Sequence, residues 1–297
     1  MLSASNQRRR SNSMIVVTGT TGQLGRLVIQ SLLQRQVPAS RIVAAVRNPA
    51  KAADLAAQGI VVRQADYSQP ESLRTAFAGA EKVLLISSSE VGQRLPQHRN
   101  AIEAAQAAGV GLLAYTSLLH ADTSPLGLAE EHRQSEALLR QSGLPHVILR
   151  NGWYTENYLA SVAPALQHGA YIGAAGEGRI ASAARADYAE AAAAVLTQPD
   201  QAGKVHELAG DTAYTLADLA AAITRLSGRA VPYVNLSQAD FEAALLKAGL
   251  PAPLAALLAD SDAAAARGAL FDDQHQLSRL IGRPTTSLEA LLPSVLG

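Results

Sequence analysis

The chain has 297 residues, enough for one large α/β domain or a domain with a smaller cap. It has no cysteine, which excludes disulfides, thiolate metal sites and a cysteine nucleophile. Its 25 basic residues balance 25 acidic ones, which argues against a dedicated nucleic-acid binder. Apolar residues at 48% and charged residues at 17% describe a globular chain, and no stretch reaches the ~18 apolar residues of a membrane span.

Residues 1–13 differ from the rest. They carry Arg8, Arg9 and Arg10, no acid and no apolar h-region, so they are not a secretory signal. They read as a disordered tail ahead of Met14 as the real beginning, with a targeting or nucleic-acid arm as the alternative. From Met14 the chain alternates. Strands are expected at Ile15–Thr18, Ile42–Val46, Val61–Gln64, Lys82–Ile86, Leu112–Tyr115 and His146–Arg150. Helices fill the gaps at Gln23–Gln36, Pro49–Ala57, Pro70–Ala78, Gln97–Ala108 and about Leu126–Ser142, with Gly59, Gly109 and Gly143 at helix C-termini. Strands spaced in this way imply βαβ units and a Rossmann-type, doubly wound parallel sheet. The abundant alanine implies helices packed closely on that sheet.

After Gly152 helical patterns dominate: Glu156–His168, Asp187–Leu196, Leu216–Leu226, Ser237–Ala248 and Pro251–Ala259. Strand-like pieces at Ala170–Ile172, His206–Leu208 and Val231–Asn235 interrupt them. The expected division is a tail (1–13), a dinucleotide-binding α/β domain (14–152) and a smaller, mostly helical C-terminal substrate lobe (153–297). Some segments of that lobe are free to rejoin the main sheet.

The first strand runs into Gly19-Thr20-Thr21-Gly22-Gln23-Leu24-Gly25, a G-x-x-G-x-x-G pattern on a strand-to-helix turn. Gly19 allows a tight turn, Gly22 lets backbone amides approach a pyrophosphate at the helix N-terminus, and Gly25 allows close helix–sheet packing. An NAD site places an acid at the end of the second strand; this chain has Arg47, 22 residues past Gly25, followed by Lys51. A guanidinium there can bind the 2′-phosphate of NADP, so NADPH is the expected cofactor. Asp66 after the third strand reads either as a partner for adenine or as a helix N-cap. Ser87, Ser88 and Ser89 after the fourth strand either leave room for the cofactor or cap the next helix.

The Tyr-x-x-x-Lys pair by which short-chain dehydrogenases protonate a carbonyl is missing. Tyr115, Tyr154, Tyr158, Tyr171, Tyr188, Tyr214 and Tyr233 are followed four places on by Leu119, Tyr158, Val162, Ala175, Ala192, Asp218 and Ser237. A hydride acceptor here must manage without that donor, as quinones and cationic dyes do. Five of the twelve aromatic residues (Trp153, Tyr154, Tyr158, Tyr171 and Tyr188) fall between 153 and 188. They form either a flat wall for a planar substrate or a core cluster. His132 reads as a solvated helix residue or as a group that orients substrate or relays a proton through water.

The segments TGTTGQLG (18–25), AAVRNPAK (44–51), LLISSSEVGQRLPQHRN (84–100), YTSLLHADTSPLGLAEEH (115–132) and LRNGWYTENYLAS (149–161) carry a resemblance. GEGRIASAARADYA (176–189), LAGDTAYTL (208–216) and LFDDQHQLSRLIGRPTT (270–286) extend it. The chain resembles the NmrA-like atypical short-chain dehydrogenases. Among them it is similar to the bacterial type-2 NAD(P)H:quinone oxidoreductases and the triphenylmethane reductases. That resemblance implies two-electron reduction of quinones with NADPH. It implies cofactor contacts at Gly19, Thr20, Thr21, Gly22, Gln23 and Leu24, at Arg47, and at Ser87, Ser88 and Ser89. It adds Asn151, Gly152, Trp153, Tyr154, Thr155 and Glu156, and the stretch Ser182, Ala183, Ala184, Arg185, Ala186 and Asp187. Substrate positioning is expected from Asn151, Trp153, Tyr154 and His132, with no metal. The expected protein is cytoplasmic, monomeric or homodimeric, with a small planar quinone-like substrate and no nucleic-acid partner. The rival readings are a non-catalytic NADP sensor of NmrA type and a dye or azo-compound reductase.

Overall fold

The computed structural model describes residues 13–296. Residues 1–12 of the expected tail lie outside the described residues; Ser13 contributes its carbonyl to Arg41 Nε at 3.0 Å.

Strand β1 (Met14–Thr18) enters the glycine turn and helix α1 (Gln23–Gln34). β2 (Ile42–Val46) is buried throughout, as a central parallel strand must be. The expected helix at Pro49–Ala57 is instead a 3₁₀ turn (Pro49–Ala52) followed by a short α2 (Ala53–Ala57). Asn48 caps the turn by accepting from Ala50 N–H at 3.0 Å. β3 (Val61–Gln64), α3 (Pro70–Phe77) and β4 (Ala80–Leu85) follow. Then come α4 (Arg94–Ala107), β5 (Leu112–Leu118), α5 (Ala129–Gln141) and β6 (His146–Asn151). Gly59, Gly109 and Gly143 adopt φ of +83°, +65° and +69° just past their helices.

The expected helix Glu156–His168 is two: α6 (Thr155–Leu159) and α7 (Val162–His168). Pro164 explains the break, because it supplies no N–H and its ring clashes with the carbonyl four residues back. β7 (Tyr171–Gly173), α8 (Arg185–Thr197) and β8 (Val205–Leu208) come next, then α9 (Leu216–Ser227), β9 (Tyr233–Asn235) and α10 (Gln238–Lys247). α11 (Ala252–Ala265) runs six residues beyond the expected Ala259. Three short helices were not foreseen: α12 (Gln276–Ile281), α13 (Leu288–Leu291) and α14 (Pro293–Leu296).

Seven strands form one sheet in the order β3-β2-β1-β4-β5-β6-β8, and β7 pairs in parallel with β9 in a second, two-stranded sheet. β1 pairs in parallel with β2 (Val16 opposite Val43) and with β4 (Val16 opposite Val83). The order reverses direction between β1 and β4, so their carboxyl ends mark the switch point where ligands of doubly wound sheets bind.

The chain divides into two compact units. Among the described residues, unit 1 comprises those through Ser117 with Glu131–Arg150 and Tyr188–His206; unit 2 comprises Leu118–Glu130, Asn151–Asp187 and those from Glu207. Unit 1 has a core of strand and helix residues such as Val16, Val43, Leu73, Phe77, Val83, Leu113 and Ile148. In α8, Ala189 and Ala191 through Leu196 are all essentially inaccessible, the burial expected of a helix apolar on every side. Unit 2 has its own core, including Leu159, Val162, Leu216, Leu219, Ile223 and Leu270. Among the described residues no helix is long and apolar enough to cross a membrane.

Candidate functional site

In unit 1 the turn after β1 has the form of a phosphate cradle. Gly19 sits at φ +63°, and its carbonyl accepts from Gly22 N–H at 2.9 Å. A Cβ on Gly25 would lie 2.5 Å from the Gly19 carbonyl oxygen and 2.7 Å from Thr20 Cα, both backbone atoms that cannot move aside cheaply. Gly22 caps α1 with no side chain, and the first turn carries no acid, so the positive end of the helix is unopposed. Gly19, Thr21, Gly22 and Gln23 are exposed, while Leu24 is buried beneath them. Thr20 is fully buried, yet its Oγ1 has no hydrogen-bond partner among the described residues. Thr18 Oγ1 fixes the turn to β4, donating to the Leu84 carbonyl and accepting from Ile86 N–H, each at 3.0 Å. An orphaned buried hydroxyl in a glycine cradle fits a bound dinucleotide pyrophosphate.

At the end of β2, Arg47 is exposed and pairs with Glu90 at 3.0 Å. Asp66 closes its own turn, accepting from Ser68 N–H at 2.8 Å, and the cap of α3 is Gln69. At the end of β4, Ser87 N–H donates to Thr116 Oγ1 and Ser88 N–H to His98 Nε2, each at 2.9 Å. Ser89 is exposed. None of the three serines caps α4, which begins at Arg94 with Gln93 as its cap; that alternative falls.

Beside these serines lies a buried polar chain. His98 Nε2 accepts from Ser88, so its proton sits on Nδ1, 2.8 Å from Ser135 Oγ, which donates to the Glu131 carbonyl at 2.7 Å. Arg94 donates from Nε to the Ser88 carbonyl at 2.6 Å and places Nη1 3.4 Å from His132 Nε2. A guanidinium only donates, so His132 accepts at Nε2 and donates from Nδ1 to the Tyr115 hydroxyl oxygen at 2.8 Å. The reading of His132 as a solvated residue is therefore corrected: it is 4% exposed. Its helix face turns inward, which the run Glu130-Glu131-His132-Arg133 conceals. Burial pushes both His98 and His132 down to about 3, and the neighbouring Arg94 cation acts in the same direction. Burial holds the Tyr115 hydroxyl well above its ordinary range. Near neutral pH His132 is therefore uncharged and Tyr115 keeps its proton.

Unit 2 brings together two stretches that lie apart in sequence. Tyr154 and Ala183 form a parallel bridge, Thr155 N–H donates to the Ala183 carbonyl at 2.9 Å, and Ala183 N–H to Trp153 at 3.2 Å. Thr155 Oγ1 lies 2.8 Å from Ser182 Oγ, which lies 2.6 Å from the Tyr214 hydroxyl. The Glu156 carboxylate accepts from Arg185 N–H at 3.0 Å, at the positive end of α8, and the Arg185 guanidinium stacks 4.7 Å over the Tyr154 ring. Gly152 N–H is bound to the Leu208 carbonyl at 2.7 Å. Asn151 is buried, and its Oδ1 has no partner among the described residues, a second orphan that fits a polar ligand. Ala184 is buried and Ala186 exposed.

Asp187 has both oxygens taken, by Arg283 Nη2 at 2.8 Å and Thr286 N–H at 2.7 Å. Its carboxylate ties down the C-terminal segment. Of the five clustered aromatics, Tyr158 and Tyr171 belong to the core of unit 2, and Tyr188 is buried in unit 1. Trp153 and Tyr154 are half-buried, with Trp153 packed against the core of unit 2. The Arg47–Glu90 pair and the Arg94–His132–Tyr115 chain escaped sequence reasoning. Arg94 and His98 share a face of α4, but nothing local shows that this face is buried.

A family model described as NAD(P)H-binding matches residues 19–199. The chain is 64% identical to quinone oxidoreductase 2 of Escherichia coli (strain K12) over 275 residues, covering 93% of this chain and 96% of that protein. The crystal structure of an NADPH-dependent quinone oxidoreductase from E. coli, complexed with NADPH, superposes with a TM-score of 0.94 at 62% identity, over 96% of this chain and all of that one. Citrobacter sp. triphenylmethane reductase complexed with NADP(H) follows at a TM-score of 0.91 and 38% identity, over 95% of this chain and 99% of that one. An NmrA variant at 17% identity and a TM-score of 0.77 shares the fold.

Proposed function

The chain belongs to the NAD(P)H-binding family, and we infer that it is an NADPH-dependent oxidoreductase that reduces quinones by two electrons. The observation that carries this reading is the close likeness to quinone oxidoreductase 2 along nearly the whole of both chains. The neutral, mutually bonded Tyr115 and His132 agree with it, because they leave an acceptor that needs no protein acid.

When bound, NADPH supplies a hydride. We assign the protein's share of the work as follows. The turn from Gly19 to Leu24 holds the pyrophosphate against the positive end of α1, and Arg47 takes the 2′-phosphate. Asn151, whose Oδ1 has no partner among the described residues, and the half-buried Trp153 and Tyr154 hold the nicotinamide end and the flat substrate. Gly152, Thr155 and Glu156, bound to Leu208, Ala183 and Arg185, keep that segment rigid. A quinone that accepts hydride becomes a hydroquinone anion, which water can protonate. Unit 1 then serves chiefly as the cofactor domain and unit 2 as the substrate lobe. The protein acts in the cytoplasm, as a monomer or homodimer, where NADPH is at hand. A cationic triphenylmethane dye is a second acceptor of the same logic, since hydride addition gives a neutral product with no proton needed. The likeness to triphenylmethane reductase favours it.

Anaerobic NADPH oxidation against a panel of quinones and dyes tests this. We expect stoichiometric hydroquinone. Tight NADPH binding without turnover of any acceptor would favour a sensor instead.

A further inference from the structure

The end of β2 carries Arg47 and no acid, yet the fold delivers one from elsewhere. The loop after β4 brings Glu90 Oε1 to 3.0 Å from Arg47 Nη1. The second oxygen, Oε2, accepts from Gln97 Nε2 at 2.8 Å, and Gln97 is buried. The Glu90 backbone N–H donates to Ser88 Oγ at 3.1 Å. Both carboxylate oxygens and the backbone are thus held beside the one guanidinium assigned to the 2′-phosphate. An exposed ion pair adds little to folding, so the consequence of this arrangement is chemical. It sets a fixed negative charge at the place where NADH and NADPH differ.

We propose that Glu90 and Arg47 together read the ribose 2′ position, and that Glu90 is the residue that sets the ratio of NADH to NADPH use. This rests on the assignment of Arg47 to the 2′-phosphate. A carboxylate accepts from a ribose 2′-hydroxyl, the role an acid plays at the end of the second strand in NAD sites. With NADH the Arg47–Glu90 pair stays intact and Glu90 offers that acceptor. With NADPH the phosphate must take Arg47 from Glu90 and sit close to a like charge. Glu90 therefore supports the first cofactor and weakens the second. The penalty on NADPH acts between exposed charges, so salt screens it.

The test is equilibrium binding, without turnover, of NADPH, NADH and 2′,5′-ADP to the full chain, to Glu90→Gln and to Arg47→Ala, with melting temperatures to show that the variants fold. Glu90→Gln should tighten NADPH and 2′,5′-ADP about three- to tenfold and weaken NADH about fivefold. The NADPH gain should shrink as salt rises from about 0.05 to 0.5 M. If Arg47→Ala selectively weakens NADPH while Glu90→Gln leaves the ratio unchanged or weakens both cofactors alike, Glu90 has no reading role and the Arg47 assignment survives. If Arg47→Ala weakens NADPH and NADH equally, the Arg47 assignment itself is wrong and the proposal falls with it.

Discussion

At Tyr115 the hydroxyl oxygen accepts from His132, and His132 in turn faces the Arg94 guanidinium. Tyr115 is held neutral by burial, and its neighbour is a histidine without a charge. Tyr115→Phe and His132→Ala should each retain quinone turnover within about tenfold, because general acid catalysis, worth 10²–10⁴-fold where it operates, is not in use. Asn151→Ala and Trp153→Ala should cost about a hundredfold, since a misplacement near 1 Å is enough. Steady-state rates with a benzoquinone, with NADPH affinity measured beside them, separate the two classes. Arg47 and the glycines could be read from the sequence because each sits at a fixed offset from a strand end. Burial of His132, and of Arg94 and His98 on α4, could not: their local segments are polar, and burial is decided by what packs over them.

At the scale of elements, β6 is anchored by charge. Glu136 on α5 receives Arg150 Nε and Nη2 at 2.9 and 2.8 Å, one residue before Asn151, and Ser117 adds a bond at 2.6 Å. Burial alone would raise the Glu136 carboxyl, but bonds from Arg150 and Ser117 outweigh it and hold the group below its usual range. Glu136→Gln removes a buried carboxylate charge that pairs with the Arg150 guanidinium and should destabilise the protein by about 3–5 kcal/mol in denaturant unfolding.

Asp262 on α11 behaves in the opposite sense. Burial pushes it up to about 6, against one offsetting bond from Ala174 N–H at 2.8 Å. Between about pH 4 and 6 the unfolded chain is ionised while the folded one keeps its proton, so stability falls as pH rises through that window, by up to about 3 kcal/mol. Asp262→Asn should raise the melting temperature above about pH 6 and lose that advantage below about pH 4. An unchanged difference across that range would exclude Asp262 as its source. The helix that splits at Pro164, by contrast, was open to a sequence reading, because a proline after an interrupted apolar pattern carries its own explanation.

For the whole molecule, alternating β-branched runs and alanine-rich helices specify the doubly wound sheet, since parallel strands buried on both faces need continuous apolar runs. The two-unit division was harder to read, because the chain passes between the units several times rather than once near Gly152. Segments 151–156 and 182–187 meet in unit 2 through backbone and side-chain bonds between residues distant in sequence, which no local pattern records. We propose that this chain reduces quinones without a titrating acid of its own. With His132 near 3 and Tyr115 far above neutrality, neither group changes charge between about pH 6 and 9. The direct measurement is the rate of NADPH-driven benzoquinone reduction across that range, at saturating concentrations of both. A flat profile, with Tyr115→Phe within about tenfold of the unmutated rate throughout, is the expected result. A limb that falls with a pKa inside the range, and that Tyr115→Phe or His132→Ala abolishes, would contradict the claim and restore a dehydrogenase-like acid.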